Sequence, residues 1–361
     1  ATTLNGKNFI KRNHKDLKFT SIRMKIKINM QAASRRNGLH ELKLPLAVFL
    51  FTVSFLSVIQ IKMNQNPILL LERFLKGGGW IEIMIVSFYG GFVAFKMQNH
   101  MNVPVWRRIT WTIFSVFFFM QLLIGLAGAE KFLMSGKLHL PVPMMIIAGP
   151  IYRGQLSVMT LLFLSTVVLT GPAWCSQLCY FGALDNLASN GRTSRTAFKN
   201  KPAIKSTILF LVIVVTLILR WFNFSLLAAT LTAVGFGITG IWIMVYFSRK
   251  TGKMVHCSLY CPVGTMVNAT RYINPFRMYI DNSCSLCMKC TSFCKFDALN
   301  VTDIKNKKPN YSCTLCGDCL AACRDNSIKY RFLKMKPEDA RKLYLFLTIS
   351  LHAIFLALGR L

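Results

Sequence analysis

The residues of this chain best suited to chemistry are its twelve cysteines, and all twelve fall into four clusters. CSLCMKCTSFC (284–294) and CTLCGDCLAAC (313–323) each read C-x2-C-x2-C-x3-C. That spacing is the bacterial two-cluster ferredoxin run, in which one tight loop presents three thiolates and the fourth cysteine reaches the other cluster. One [4Fe-4S] cluster is therefore expected on Cys284, Cys287, Cys290 and Cys323, and a second on Cys313, Cys316, Cys319 and Cys294. Two zinc knots are the competing reading, and two complete runs in succession argue against it. The run ordinarily ends Cys-Pro, whereas here the fourth cysteines are followed by Lys295 and Arg324. Positive charge beside the fourth ligand favours the reduced cluster and raises its potential relative to a neutral neighbour.

The other four cysteines form an internal repeat. WCSQLCYFGALDN (174–186) and HCSLYCPVGTMVN (256–268) share Cys, Ser, Cys, Gly and Asn at matching positions, and each follows a long apolar run. Two such units packed about a pseudo-two-fold axis would bring Cys175, Cys179, Cys257 and Cys261 together, with Gly182 and Gly264 letting the chain turn closely around the site. Four sulfurs suit an iron–sulfur cluster, zinc or Cu(I). Two redox-active dithiol pairs, or free thiols, are the alternatives. His256 adjoins Cys257 and is either a structural helix-end histidine or a residue that tunes or joins this third site.

Such cysteines need elements to hold them, and composition says where those elements lie. Of 361 residues 53% are hydrophobic, and the apolar residues come in blocks long enough to cross a bilayer as helices. Six membrane helices are expected before the cysteine-rich segment, near 44–61, 79–97, 109–128, 155–173, 206–222 and 225–248, and one after it near 342–359. Residues 139–152 are apolar but short and proline-rich, as in a re-entrant or interfacial segment. The fold class is thus mainly α: a polytopic membrane helix bundle with an inserted α+β two-cluster ferredoxin domain. Its expected divisions are a basic tail (1–43), the bundle with both CxxxC repeats (44–275), the ferredoxin-like domain (276–335) and a C-terminal membrane helix (336–361).

The chain has 44 Lys+Arg against 13 Asp+Glu. Without an RNA-binding motif or an aromatic-interleaved basic patch, this excess points to membrane topology and not to nucleic acid. Placing the N-terminus in the cytoplasm puts the heavily basic tail, the 174–205 loop and the 249–342 segment on one side. Both cysteine repeats and the ferredoxin domain are then cytoplasmic, and the last helix carries the C-terminus out. The pair Arg35-Arg36 hints at a twin-arginine signal, but no small-residue cleavage site follows it, so a cytoplasmic basic anchor is the favoured reading.

GPAWCSQLCYFGAL, CSLYCPVGTM, the link RYINPFRMYIDNSC and the two ferredoxin runs resemble the membrane polyferredoxin family of NapH, NosR and CcoG type, over residues from about 79 to 330. The resemblance implies electron transfer between the cytoplasmic side or the quinone pool and extracytoplasmic reductases, or a role in metal-centre maturation. The chain departs from the family at Tyr180, where the first pair lacks the usual proline that Pro262 keeps in the second. It also carries a long basic tail and leaves no room for a periplasmic flavin-binding domain.

Other signals are weaker. Neither His139 nor His352 has a facing partner suited to bis-histidine haem, and no CxxCH supports covalent haem. Glu82 and Glu130 fall near the outer membrane face, as ordinary interfacial carboxylates or as proton donors to quinone. Met144-Met145 reads as lipid-facing or core. No dinucleotide fingerprint or Walker loop occurs. The expected protein is a non-catalytic iron–sulfur subunit of a respiratory redox complex in a prokaryotic inner membrane. It would link a cytoplasmic donor, which its basic ferredoxin segment suits if that carrier is acidic, to quinone or an extracytoplasmic partner. The alternative is an assembly factor binding or reducing copper through the CxxxC thiols.

Overall fold

A computed structural model describes residues 38–63, 68–132, 142–156, 158–192 and 197–358. The basic residues before Gly38, including Arg35-Arg36, and also His139 and Arg195, lie outside the described residues, as does the side chain of Glu130. Leu44–Leu361 form one compact unit.

The chain is mainly helical. Among the described residues, seven helices are long and apolar enough to cross a membrane: Glu41–Lys62, Gly78–Gln98, His100–Leu126, Thr160–Leu178, Lys201–Trp221, Leu226–Thr251 and Pro337–Leu358. We number the helices α1 Gly38–Lys62, α2 Gly78–Gln98, α3 Val103–Leu126, α4 Met145–Arg153, α5 Val158–Thr170, α6 Tyr180–Ala188, α7 Lys201–Trp221, α8 Leu226–Ile243 and α9 Pro262–Ala269. Phe88, Val116, Leu226 and Leu231 stand exposed on the outer faces, where lipid tails would cover them. Close packing inside relies on small residues: a Cβ added at Gly90 would lie 3.2 Å from the Ala353 methyl and 3.3 Å from Val48.

Two helices begin earlier than their charges suggest. The third span starts before Arg107 and the fifth starts at Lys201, although both basic residues read as loop in the sequence. Charge at a membrane-helix end ordinarily marks solvent. Here Arg107 and Lys201 are buried and paired with carboxylates, so the helices run through them. The apolar 139–152 stretch yields only the short helix α4, too short to span.

The cysteine-rich segment packs onto this bundle. It opens with β1 (Phe276–Ile280) and closes with β2 (Ile328–Phe332), paired antiparallel with Phe276 opposite Phe332 and Ile280 opposite Ile328. Phe276, Met278 and Ile280 alternate inward, as a half-buried strand requires. Between the strands lie three one-turn helices, α10 Lys289–Phe293, α11 Val301–Lys305 and α12 Asp318–Ala322. The strands' inner face meets the start of α13 (Pro337–Leu358), where Tyr344 stacks on Tyr330 with ring centres 4.9 Å apart. Farther along, α13 packs on α2, and Arg341 donates to the carbonyls of Gln98 (2.7 Å) and Met97 (2.8 Å), capping that helix's C-terminus.

Asp297 joins segment and bundle most densely. Its side chain is fully buried, and Lys201 and Lys253 both pair with it. Removing one partner of a buried ion pair leaves uncompensated charge and costs about 3–5 kcal/mol. Asp297→Ala should therefore sharply lower the thermal unfolding midpoint of detergent-purified protein. Lys329→Ala breaks only the half-exposed pair with Asp281 and should leave the midpoint in place.

Candidate metal centre

The two ferredoxin-type runs take the same backbone path. Leu286 and Leu315, then Met288 and Gly317, occupy the left-handed region at equivalent places, as do Asp297 and Asn326 three residues after each fourth cysteine. For a leucine that conformation costs of order 1–3 kcal/mol, and it persists only where the surroundings impose it. Both fourth cysteines accept a backbone hydrogen bond: Ala298 donates to Cys294 Sγ at 3.2 Å and Ser327 to Cys323 Sγ at 3.3 Å. Such N–H groups aimed at sulfur stabilise a thiolate ligand.

The thiols gather in tetrads. Burial pushes Cys290 up to about 11, reinforced by the neighbouring Cys323, Cys284 and Cys287. Cys294, Cys313, Cys316 and Cys319 line one small cavity behind Met278 and Leu299. There burial holds Cys294 and Cys316 at about 12, and Arg107 opposes the rise at Cys316. Cys319 also feels Cys290, so the two tetrads are neighbours.

The third tetrad comes from the internal repeat. Each half has a leading helix (α3 or α7), a returning helix (α5 or α8), a π-helical turn and a short helix (α6 or α9). The π turns are Trp174–Leu178 and His256–Tyr260, closed by Cys179 N–H to Trp174 O at 3.1 Å and Cys261 N–H to His256 O at 2.8 Å. Cys257 interacts electrostatically with Cys261, Cys179 and Cys175, which puts all four thiols in one place. Burial, with Cys261 nearby, pushes Cys179 up to about 12, while the N–H groups of Gly182 and Phe181 draw it down. Cys261 is likewise raised by burial and drawn down by Gly264 N–H, Lys205 and Val263 N–H. The departure at Tyr180 changes nothing in the backbone. Tyr180 and Pro262 both stand at the first helical position, after cysteines with φ/ψ of −81/111 and −70/117. Proline is tolerated there because the N–H is unpaired anyway, and any other residue fits as well. Tyr180 instead stacks on Phe118 with ring centres 4.0 Å apart.

Residues that no cysteine motif announces hold these loops. On α3, Arg107, Trp111 and Ser115 recur every fourth residue and so share one face. They donate to Ser176 O (3.1 Å), Cys179 O (2.7 Å) and Tyr180 O (3.0 Å). Arg107 also grips Asp318, between Cys316 and Cys319, through Nε–Oδ1 at 2.8 Å and Nη2–Oδ2 at 2.5 Å. Ser176 Oγ donates to Thr314 O at 3.1 Å. Asp185 Oδ2 accepts from Cys257 N at 2.9 Å, tying the first half to the second, and burial pushes this carboxyl up to about 6. The polar stripe on an otherwise apolar helix was the available sequence signal for Arg107, Trp111 and Ser115; Asp185 shows only as a lone acid in an apolar stretch.

The remaining candidates sit as follows. His256 is buried against Phe181, Tyr260 and Gly240, its two ring nitrogens without hydrogen-bond partners, and burial drives it down to about 3. Lys295 Nζ donates to Ser189 O at 2.9 Å and is lowered by burial and by Arg108 to about 8. Arg324 is exposed. His352 meets Tyr89 Oη at 3.1 Å and Gln177 O at 3.0 Å, not a second histidine. Glu82 accepts from Leu71 N at 2.8 Å, and Met144 and Met145 line an apolar cavity between α4, α7 and α8.

The thiols are all free, with no disulfide among them. Among the described residues, no three His, Cys, Asp or Glu side chains converge tightly enough for a single metal ion. A tetrahedral zinc with Zn–S of about 2.3 Å would draw its sulfurs to within about 4 Å of one another. A cubane takes four thiolates on four separate irons and needs a wider tetrad. Four all-cysteine donors at each site fit an iron–sulfur cluster.

A 4Fe-4S binding domain family matches the chain twice. Its model (Fer4_5) covers residues 155–198 and again 231–275, the stretches that carry the two CxxxC pairs. The matched 4Fe-4S binding sequence therefore lies outside the two ferredoxin-type runs. No curated protein and no solved structure matches it.

Close approach distinguishes the two glycines at equivalent places in the repeat. A Cβ on Gly182 would lie 2.6 Å from the Trp111 ring and 2.9 Å from Cys175 O, whereas one on Gly264 would lie 3.2 Å from Cys257 O. Overpacking of the first kind costs about 1–3 kcal/mol. Gly182→Ala should thus lower the unfolding midpoint clearly more than Gly264→Ala; equal effects would contradict the packing described.

Proposed function

We propose that this chain is a membrane-bound iron–sulfur electron-transfer subunit with three four-thiolate sites in a row. The observation that carries this reading is their adjacency. Cys290 and Cys319 interact across the first and second tetrads. Cys316 of the second and Cys257 of the third pack against the same buried group of Trp111, Ala183, Met254 and Phe296. Exposure falls along the row: Cys287 is open to solvent, whereas Cys175, Cys179 and Cys261 are buried. Bound at these sites, [4Fe-4S] clusters supply one-electron carriage at potentials set by their surroundings.

The protein's own residues then have definite tasks. The runs 284–294 and 313–323 hold the outer two sites as a two-cluster ferredoxin domain, and the repeated CxxxC turns hold the third at the membrane surface. The half-buried outer tetrad is where a soluble donor would dock, and the net positive charge of this segment suits an acidic carrier on the cytoplasmic side. Quinone, or a catalytic subunit across an inner membrane, would be the partner at the other end. The family match on both CxxxC stretches supports an iron–sulfur site there over copper handling.

Metal analysis with EPR of the purified protein tests this. We expect about twelve irons and about twelve sulfides per chain, four for each tetrad. Cys175→Ser/Cys179→Ser should lose about a third of both and one EPR signal while keeping the rest. Retention of every signal by that variant, or copper in place of iron at those thiols, would sink the three-site reading.

A further inference from the structure

The two halves of the repeat superpose in role as well as in sequence. Each leading helix places a buried cation on a carboxylate of the cysteine-rich segment, Arg107 on Asp318 and Lys201 on Asp297. One helical turn further on, each presents a side chain to the glycine of its own CxxxC unit. In the first half Trp111 meets Gly182, and in the second Lys205 meets Gly264, with Nζ 3.7 Å from where its Cβ would lie. At this position the two halves differ in charge: an indole on one flank of the third tetrad, an ammonium on the other.

Lys205 is 2% exposed and interacts electrostatically with Cys175, Cys261 and Cys257. Apart from those thiols, the charged group that acts most on it is Lys201, whose own carboxylate partner is Asp297. Placing an ammonium deep among apolar helices is expensive unless an anion compensates it. Four thiolates around a cluster supply that anion, and a neutral site does not.

We infer that Lys205 is the built-in counter-charge of the third site and holds its reduction potential up. This rests on the three-site reading above. A fixed positive charge in a low-dielectric surround stabilises the state with one more electron. Trp111, at the equivalent place on the other flank, carries no charge, and the Asp185 carboxyl bears on the same thiols with the opposite sign, so the potential should fall when the Lys205 ammonium is removed. Because Lys205 touches the loop through its side chain, it acts as a tuning residue and not as a ligand.

The test is an EPR-monitored redox titration of membrane-purified protein as wild type, Lys205→Met and Lys205→Arg, each assayed for iron and sulfide. Lys205→Met should keep full iron content while the midpoint of the signal lost in Cys175→Ser/Cys179→Ser moves down by at least about 59 mV, a tenfold change in a one-electron equilibrium. Lys205→Arg should stay near wild type. A Met variant that loses the third cluster while the Arg variant keeps it also shows that the charge is required. An unmoved or raised midpoint in Lys205→Met, or loss of the cluster in both variants, overturns the assignment. If wild-type protein holds only about eight irons, the third-site reading fails instead, and does so before either variant is compared.

Discussion

A single buried guanidinium holds the cluster-binding parts of this protein in register. Arg107 lies 1% exposed near the start of a membrane helix, a place where an unpaired charge would be untenable. It is stable there because Asp318 takes two of its donors and Ser176 O a third. Those acceptors belong to different loops, one from the second ferredoxin-type run and one from the first CxxxC turn. The fork geometry of arginine makes this contact directional, which a lysine would not. The position of the second tetrad relative to the third thus follows from the requirement that this charge be satisfied.

The same requirement recurs in the second half of the bundle. Lys201 and Lys253 converge on Asp297, three residues past Cys294, and Phe198 N donates to the same carboxylate at 3.0 Å. Each half of the membrane repeat therefore grips a carboxylate beside one of the cysteine runs. A duplicated helical scaffold bound at two points to a duplicated cysteine-rich segment cannot readily rotate or slide. Rigid spacing of this kind suits electron transfer, where separation between sites governs coupling, better than it suits metal delivery, where a ligand loop must open.

Much of this was legible in the residues. The two C-x2-C-x2-C-x3-C runs and the paired C-x3-C units stand out because thiolate ligation demands particular residues at fixed spacing. The seven apolar spans stand out because a bilayer demands length. Helix starts are less legible: Arg107 and Lys201 read as loop because their partners, Asp318 and Asp297, are far away in sequence. The role of Trp111 and Ser115 was hidden for the same reason, since what they satisfy are backbone carbonyls, which carry no sequence signature. Tyr180 looked like a defect in the motif, yet the backbone position it occupies does not depend on proline. Lys205 could be seen only as a loop charge until its place opposite Trp111 emerged from the repeat.

The central claim is that three four-thiolate sites lie side by side in one chain. Low-temperature EPR of the fully reduced protein tests it most directly, through spin–spin interaction between neighbouring clusters. Three neighbouring clusters should give an interacting spectrum whose outer two components simplify when the CxxxC site is removed by Cys257→Ser/Cys261→Ser. A spectrum from two coupled clusters that is identical with and without those cysteines would contradict it.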